Sequence, residues 1–165
     1  MPRGEIGEVC VRSAAVMRGY WQRTDATAAT LAGDWLHTGD LGYQDEEGFL
    51  YLVDRAKDMI ISGGFNVYPR EVEDVLTAHP AVAMAAVIGV PDEKWGEKVI
   101  AVVVLRAGET ASEEALIALV KDKKGAIQAP KQVDFVDALP QTALGKTDKK
   151  VLRQQYWGER ERMVN

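Results

Sequence analysis

The chain opens on short apolar–polar alternations. In "GEVCVRS" the period is two, which predicts a half-buried strand. "TDATAATLAG" starts on possible caps, Thr24 or Asp25, and ends at Gly33, so it reads as a short helix. "DEEGFLYLVDR" predicts a turn followed by a strand, and "KDMIIS" a second short strand closed by Gly63 and Gly64. The pattern then changes. "PREVEDVLTAHP" places Pro69 at a first helical position and spaces Val72, Val75 and Leu76 as one helix face. "VAMAAVIGV" and "EKVIAVVVL" are apolar runs of strand length, fit to be covered on one or both faces. "TASEEALIALVKDKKG" is an amphipathic helix with Thr110 and Glu113 at capping-box spacing. "KQVDFVD" reads as a strand and the run after Asp148 as a terminal helix.

From about residue 57 onward the order is therefore β, α, β, β, α, β, α. That is an α+β domain of three-layer type, a small central sheet with helices on it, occupying residues 57–165. Residues 1–56 hold short strands and one small helix, and such a segment buries little surface alone.

Composition adds limits. The chain of 165 residues is 47% hydrophobic and 27% charged, which suits a folded domain with a core. Its net charge of −5 argues against a nucleic-acid partner held by phosphate attraction. One cysteine, Cys10, forms no internal disulfide and reads as a small hydrophobe in an alternating strand. The longest apolar run, "AVAMAAVIGV", is bounded by Pro80 and Pro91 and is too short for a membrane span. With no secretory signal in "MPRGEIGE", a cytoplasmic location is expected. His37 and His79 show no metal-ligand spacing along the chain, so no metal site is expected.

"LPQTALGKTDKKVLR" (139–153) carries the first chemical candidate. Gly145-Lys146-Thr147 resembles the end of a phosphate-binding loop, G-x-x-x-x-G-K-[ST]. Pro140 stands where the first glycine belongs. Proline has a fixed φ and no N–H, so the backbone nest that cradles phosphate cannot start there. Lys146 is left as a lone cation between a strand and a helix.

Two further stretches give that lysine a context: "WLHTGDLGYQDEEGFLYLVDRAKDMI" and "ISGGFNVYPREVE". With "LPQTALGKTDKKVLR", in this order and spacing, they resemble the adenylate-forming enzymes: acyl-CoA synthetases, luciferase and the adenylation domains of peptide synthetases. The likeness runs from "GEIGEV" to "KVLR" and is to the C-terminal portion of such enzymes. It implies that 1–56 is the terminal β-rich segment of a large N-terminal domain, and 57–165 the mobile C-terminal domain. The large domain, with its Ser/Thr/Gly-rich ATP loop, has no counterpart in this sequence.

The resemblance also implies roles. The activity would be ligation of a carboxylic acid, fatty or aryl, to CoA through an acyl-adenylate, with ATP as substrate and AMP and pyrophosphate released. Asp40 would accept hydrogen bonds from the ribose hydroxyls of ATP and Arg55 would reach the same ribose; Asp40 also suits a plain turn after Gly39. Lys57 would be the hinge, a position where many relatives have Asp. Lys146 would be the catalytic lysine, bridging the substrate carboxylate and the α-phosphate. Gly63 and Gly64, Trp95 and Lys131 would line the path of the CoA pantetheine and nucleotide. Gly63-Gly64 also suits an ordinary strand-ending turn, and Trp95 a surface anchor. Mg²⁺ would sit on the phosphates with ligands outside this chain. Gln128 and Ala129 depart from the basic or aromatic residue that relatives often carry just before that proline, and Phe65 departs from a common Glu. A carrier-protein pantetheine remains open as the thiol. So does an isolated, non-catalytic domain that only docks onto a separate N-terminal body.

Overall fold

The computed structural model of the chain describes residues 1–157. Residues 158–165, which the sequence reading places at the end of the second domain, lie outside the described residues. The chain divides into two compact units, Met1–Lys57 and the residues from Asp58 onward.

The first unit is an antiparallel sheet of β1 (Gly7–Val11), β2 (Leu36–Gln44) and β3 (Leu50–Arg55), in that order, with helix α1 (Thr24–Thr30) between β1 and β2. Strand β2 was not evident in the sequence, because "LHTGDLGYQ" carries two glycines and mixes polar with apolar positions. The register explains why it forms nonetheless. Glu8 pairs with Leu41 and Cys10 with His37, so β2 spends four steps where β1 spends two. The surplus is a bulge at Thr38-Gly39-Asp40, with Gly39 at φ 72°. Thr38 Oγ1 closes it by donating to the Val9 carbonyl (2.7 Å) and accepting from the Asp40 N–H (3.1 Å). Helix α1 is capped neither by Thr24 nor by Asp25. Arg23 is its N-cap, without a side-chain hydrogen bond.

All the buried core hydrophobics among the described residues lie from Ile60 onward. In the first unit Phe49, Leu50, Tyr51 and Leu52 stand 62%, 55%, 45% and 65% exposed. Soluble proteins seldom leave four consecutive large apolar residues open to water, so this stretch wants a cover.

The second unit is built on β4 (Ile60–Ser62), β5 (Phe65–Val67), β6 (Val82–Asp92), β7 (Gly96–Leu105) and β8 (Gln132–Phe135), with helices α2 (Pro69–Thr77), α3 (Glu113–Lys124) and α4 (Lys149–Trp157). The order is β5-β4-β7-β6, antiparallel, and β8 joins β7 in parallel after the α3 crossover. Strand β5 is the element that the sequence pattern missed; three residues are too few to show a period.

The apolar runs in β6 and β7 are explained by a sheet covered on both faces. Val87, Val99, Ala101 and Val103 point to one side, into a cluster with Val72 and Leu76 of α2 and Leu116 and Val120 of α3. Ala86, Ile88, Ile100 and Val102 point to the other, against Leu152 of α4. The register pairs Val87 with Ala101 and Ile88 with Ile100, which keeps each alternate set on one face. This is the three-layer α+β arrangement. Each fully buried Leu or Ile contributes about 1.5–3 kcal/mol.

Helix ends follow local chemistry. Pro69 opens α2, as expected. Ser112 rather than Thr110 caps α3, accepting from the Ala115 N–H at 3.2 Å. Glu113, expected to complete a capping box, instead accepts from the Val133 N–H at 2.9 Å and ties α3 to β8. Asp148 caps α4 by accepting from the N–H groups of Lys150 and Val151. No described helix is long and apolar enough to cross a membrane.

Candidate functional site

In the first unit the bulge aims Asp40 at Arg55. The two residues pair across β2 and β3, and Arg55 Nε donates to Asp40 Oδ1 at 2.9 Å. Both side chains stay accessible, at 36% for Asp40 and 54% for Arg55. The pair therefore offers a carboxylate oriented by a guanidinium and still open to a hydroxyl-bearing ligand.

Lys57 is exposed in a short helical turn, Ala56–Asp58, where the two units divide. Its neighbour Asp58 is buried and bonded to Arg153 Nη2 of α4 at 2.8 Å. Nothing in the local pattern signals this tie, whose partners are 95 residues apart. It fixes the first residue of the second unit to that unit's last helix.

Gly63 and Gly64 form the two-residue turn between β4 and β5, at φ 59° and 82°. Both central residues at positive φ make this a tight hairpin turn that favours glycine. Trp95 packs over it. Gly63 N–H donates to the Trp95 carbonyl at 2.8 Å, and a Cβ on Gly63 would lie 2.9 Å from the Trp95 ring. Lys94 and Lys131 hold their ammonium groups 4.9 and 5.7 Å from the centre of that ring. Lys131 also donates to the Ala126 carbonyl at 2.6 Å. Burial, helped by the charge of Lys121, lowers its pKa. Gly63, Trp95 and Lys131 thus form one continuous patch: a bare backbone turn, an indole and cations.

A buried carboxylate supports this patch. Strands β4 and β7 pair at Ser62 and Gly96, and Glu97 Oε2 accepts from the Ile61 N–H at 2.9 Å beside that contact. Glu97 is 4% exposed and packs closely against Gly89. A lone Glu heading an apolar run was the only trace of it in the sequence.

Lys146 is exposed on a loop between β8 and α4. The loop is a miniature hairpin bridged at Gln141 and Thr147. Four of its N–H groups are used internally. Thr142 donates to the Lys146 carbonyl (2.7 Å), Gly145 to the Thr142 carbonyl (2.9 Å), Asp148 to the Pro140 carbonyl (2.8 Å) and Lys146 to Thr142 Oγ1 (3.3 Å). A phosphate nest needs such groups pointing outward together, so the loop presents a side-chain charge and not a backbone cradle. Lys149, three residues on, has the opposite setting: Nζ lies 2.7 Å from Glu73 Oε1, and the pair is largely buried.

One cluster was not expected. Chain spacing gave no metal site, yet the β1–β2 register brings Glu8, Cys10 and His37 together. Cys10 is half-buried rather than a core hydrophobe. The hydrogen bond between Glu8 and His37 raises the His37 pKa and lowers that of Glu8.

The chain as a whole is similar to known proteins. Residues 71–146 match the AMP-binding enzyme C-terminal domain. The chain is 54% identical over 162 residues to the medium/long-chain-fatty-acid–CoA ligase FadD8 of Mycobacterium tuberculosis, covering 94% of this chain and 28% of that enzyme. It is 44% identical over 165 residues to the fatty acid–[acyl-carrier-protein] ligase ScoC of Streptomyces coeruleorubidus, covering 100% of this chain and 32% of ScoC. The chain belongs to the adenylate-forming enzymes and corresponds to their C-terminal portion. Among solved structures, the amide bond synthetase McbA of Marinactinospora thermotolerans superimposes with a TM-score of 0.87 at 49% identity, covering 94% of this chain and 32% of McbA. The chain thus spans about a third of the length of the adenylate-forming enzymes that it matches.

Proposed function

We propose that the chain serves as the C-terminal part of an ATP-dependent acid–CoA ligase, which activates a fatty or aryl carboxylic acid as its acyl-adenylate. The observation that carries this reading is the exposed Lys146 on a loop that turns four of its backbone N–H groups inward. Such a lysine suits work on a nucleotide held elsewhere. In the first half-reaction a carboxylate oxygen attacks the α-phosphorus of ATP, and the bond to pyrophosphate breaks. Two anions must meet, and an ammonium placed between them offsets their repulsion and fixes the approach. Asp40, steadied by Arg55, accepts the ribose hydroxyls. In the second half-reaction the CoA thiol attacks the acyl carbon along the Gly63–Trp95–Lys131 patch, a thioester forms and AMP leaves. Lys57 serves as the hinge on which the second unit exchanges Lys146 for that patch. The cytoplasm, where ATP and CoA are at hand, is the compartment that we propose for it.

The exposed apolar run Phe49–Leu52 supports a large N-terminal domain as the partner of the first unit. Mg²⁺ on the phosphates takes its ligands from that domain. Glu8, Cys10 and His37, which could together hold a metal ion, offer sulfur and nitrogen donors, which do not suit a hard, oxygen-seeking ion.

The reading is tested by ATP–pyrophosphate exchange in a full-length ligase bearing this chain. Asp40→Ala, which removes charged hydrogen bonds worth about 1.5–3 kcal/mol, is expected to raise the KM for ATP about 10- to 100-fold. An unchanged KM would remove Asp40 from the nucleotide site. Gly63→Ala forces a side chain to φ 59° and against the Trp95 ring. It is expected to slow thioester formation from supplied acyl-adenylate more than it slows exchange. Equal losses in both steps would point to a plain folding defect. The isolated chain is expected to show no exchange, since the acyl pocket and most of the ATP site belong to the larger domain. The amide bond synthetase among the solved relatives makes an amine acceptor the second reading, and product analysis with CoA against amines decides between the two.

A further inference from the structure

We infer that Glu8, Cys10 and His37 form a binding site for a borderline-soft divalent cation, Zn²⁺ above all. This rests on the geometry of the first unit alone and is independent of the reaction proposed above. Cys10 and His37 are direct cross-strand partners, and Glu8 lies two residues before Cys10, on the same face of β1. Cys10 Sγ is 3.6 Å from His37 Nδ1, and Glu8 Oε2 is 2.7 Å from the same nitrogen. All three donor atoms lie within 4.8 Å of one another. Tetrahedral zinc with bonds of about 2.3 Å to sulfur and about 2.0 Å to nitrogen sets the two donors about 3.5 Å apart, close to the observed separation. The carboxylate oxygen would have to withdraw from the nitrogen by only about half an ångström to take its own place.

The surroundings resemble those of a metal site rather than of a nucleophile. In a Cys–His–Glu relay the two partners occupy opposite nitrogens of the imidazole; here both converge on Nδ1, as ligands of one ion do. The second carboxylate oxygen, Glu8 Oε1, accepts from the Gly39 N–H at 3.0 Å. Outer hydrogen bonds of this kind orient ligands in metal sites. A thiolate and a carboxylate together neutralise a divalent ion. The side chains of His37 and Glu8 are 37% and 34% exposed, which leaves an entry path and room for water as the fourth ligand. An ion here would lock β1 to β2 beside the bulge that presents Asp40.

Co²⁺ titration of the protein in buffer with a non-chelating reductant tests this without any variant. A thiolate-to-cobalt charge-transfer band that saturates at one ion per chain, and that Zn²⁺ abolishes, is expected. Cys10 is the sole cysteine, so the band reports on this site. Cys10→Ser should lose the band, and His37→Gln should weaken Zn²⁺ binding about tenfold or more, measured by chelator competition. Excess Mg²⁺ should not displace the ion. The absence of a charge-transfer band in the unaltered protein, or equal Zn²⁺ affinity in the protein and both variants, would overturn the assignment and leave an ordinary Glu–His pair beside a cysteine.

Discussion

Lys146→Ala in a full-length ligase is expected to lower ATP–pyrophosphate exchange about 10²- to 10³-fold, the cost of removing one preorganised charge from a developing anionic centre. The same variant should keep most of its thioester-forming rate when acyl-adenylate is supplied, because that step uses the Gly63–Trp95–Lys131 patch. Its thermal stability should match that of the parent. Lys146 is exposed, among the described residues its ammonium makes no ion pair, and the loop's hydrogen bonds use backbone atoms and Thr142 Oγ1, none of which the substitution removes. Lys146→Arg is the sharper control. A guanidinium keeps the charge but spreads it over a planar fork, so partial recovery is expected if charge matters and little if the point geometry of an ammonium matters. Exchange left intact by Lys146→Ala would end the proposed role, whatever the fate of the second step.

What was legible in the sequence is what local physics writes into short windows. Pro69 and the spacing of Val72, Val75 and Leu76 announced α2, and the paired apolar runs announced β6 and β7. Pro140 alone sufficed to set aside the phosphate cradle, and the four loop N–H groups that bond internally agree with it. Features that depend on register were not legible. The bulge at Thr38-Gly39-Asp40 hid β2, because its surplus residues break any period of two. Cys10 and His37 meet across 27 residues of chain, and nothing in "EVCVRS" foretells His37. The capping box was misread because Glu113 met a stronger claim, a backbone N–H in a strand that sequence spacing cannot locate. Candidate roles for Asp40, Arg55, Lys57 and Trp95 came from family likeness; residue chemistry by itself would have left them as turn, surface and anchor positions.

Lys149 makes the contrast with Lys146 a test of the structure itself. Glu73 Oε1 accepts both from Lys149 Nζ and from the backbone N–H of Val87, each at 2.7 Å. The two side chains are 17% and 15% exposed, so water screens the pair poorly. Lys149→Ala strands a mostly buried carboxylate in the second unit, with one backbone donor left to it. Breaking a fully buried pair costs about 3–5 kcal/mol; the residual exposure here brings the expected loss to about 2–4 kcal/mol. Urea unfolding should show a lower midpoint. In a full-length ligase at a temperature where the variant stays folded, exchange should be little changed. Glu73→Gln/Lys149→Met, which removes both charges, should recover much of the lost stability, since a neutral amide still accepts from Val87 and a thioether fills the space of the lysine stem. Two lysines three positions apart, in a stretch the sequence writes as one basic run, should thus fail in opposite ways: one in turnover without unfolding, the other in stability without loss of chemistry. If Lys149→Ala abolished exchange in folded protein while Lys146→Ala spared it, the catalytic assignment would move from the loop to the first turn of α4.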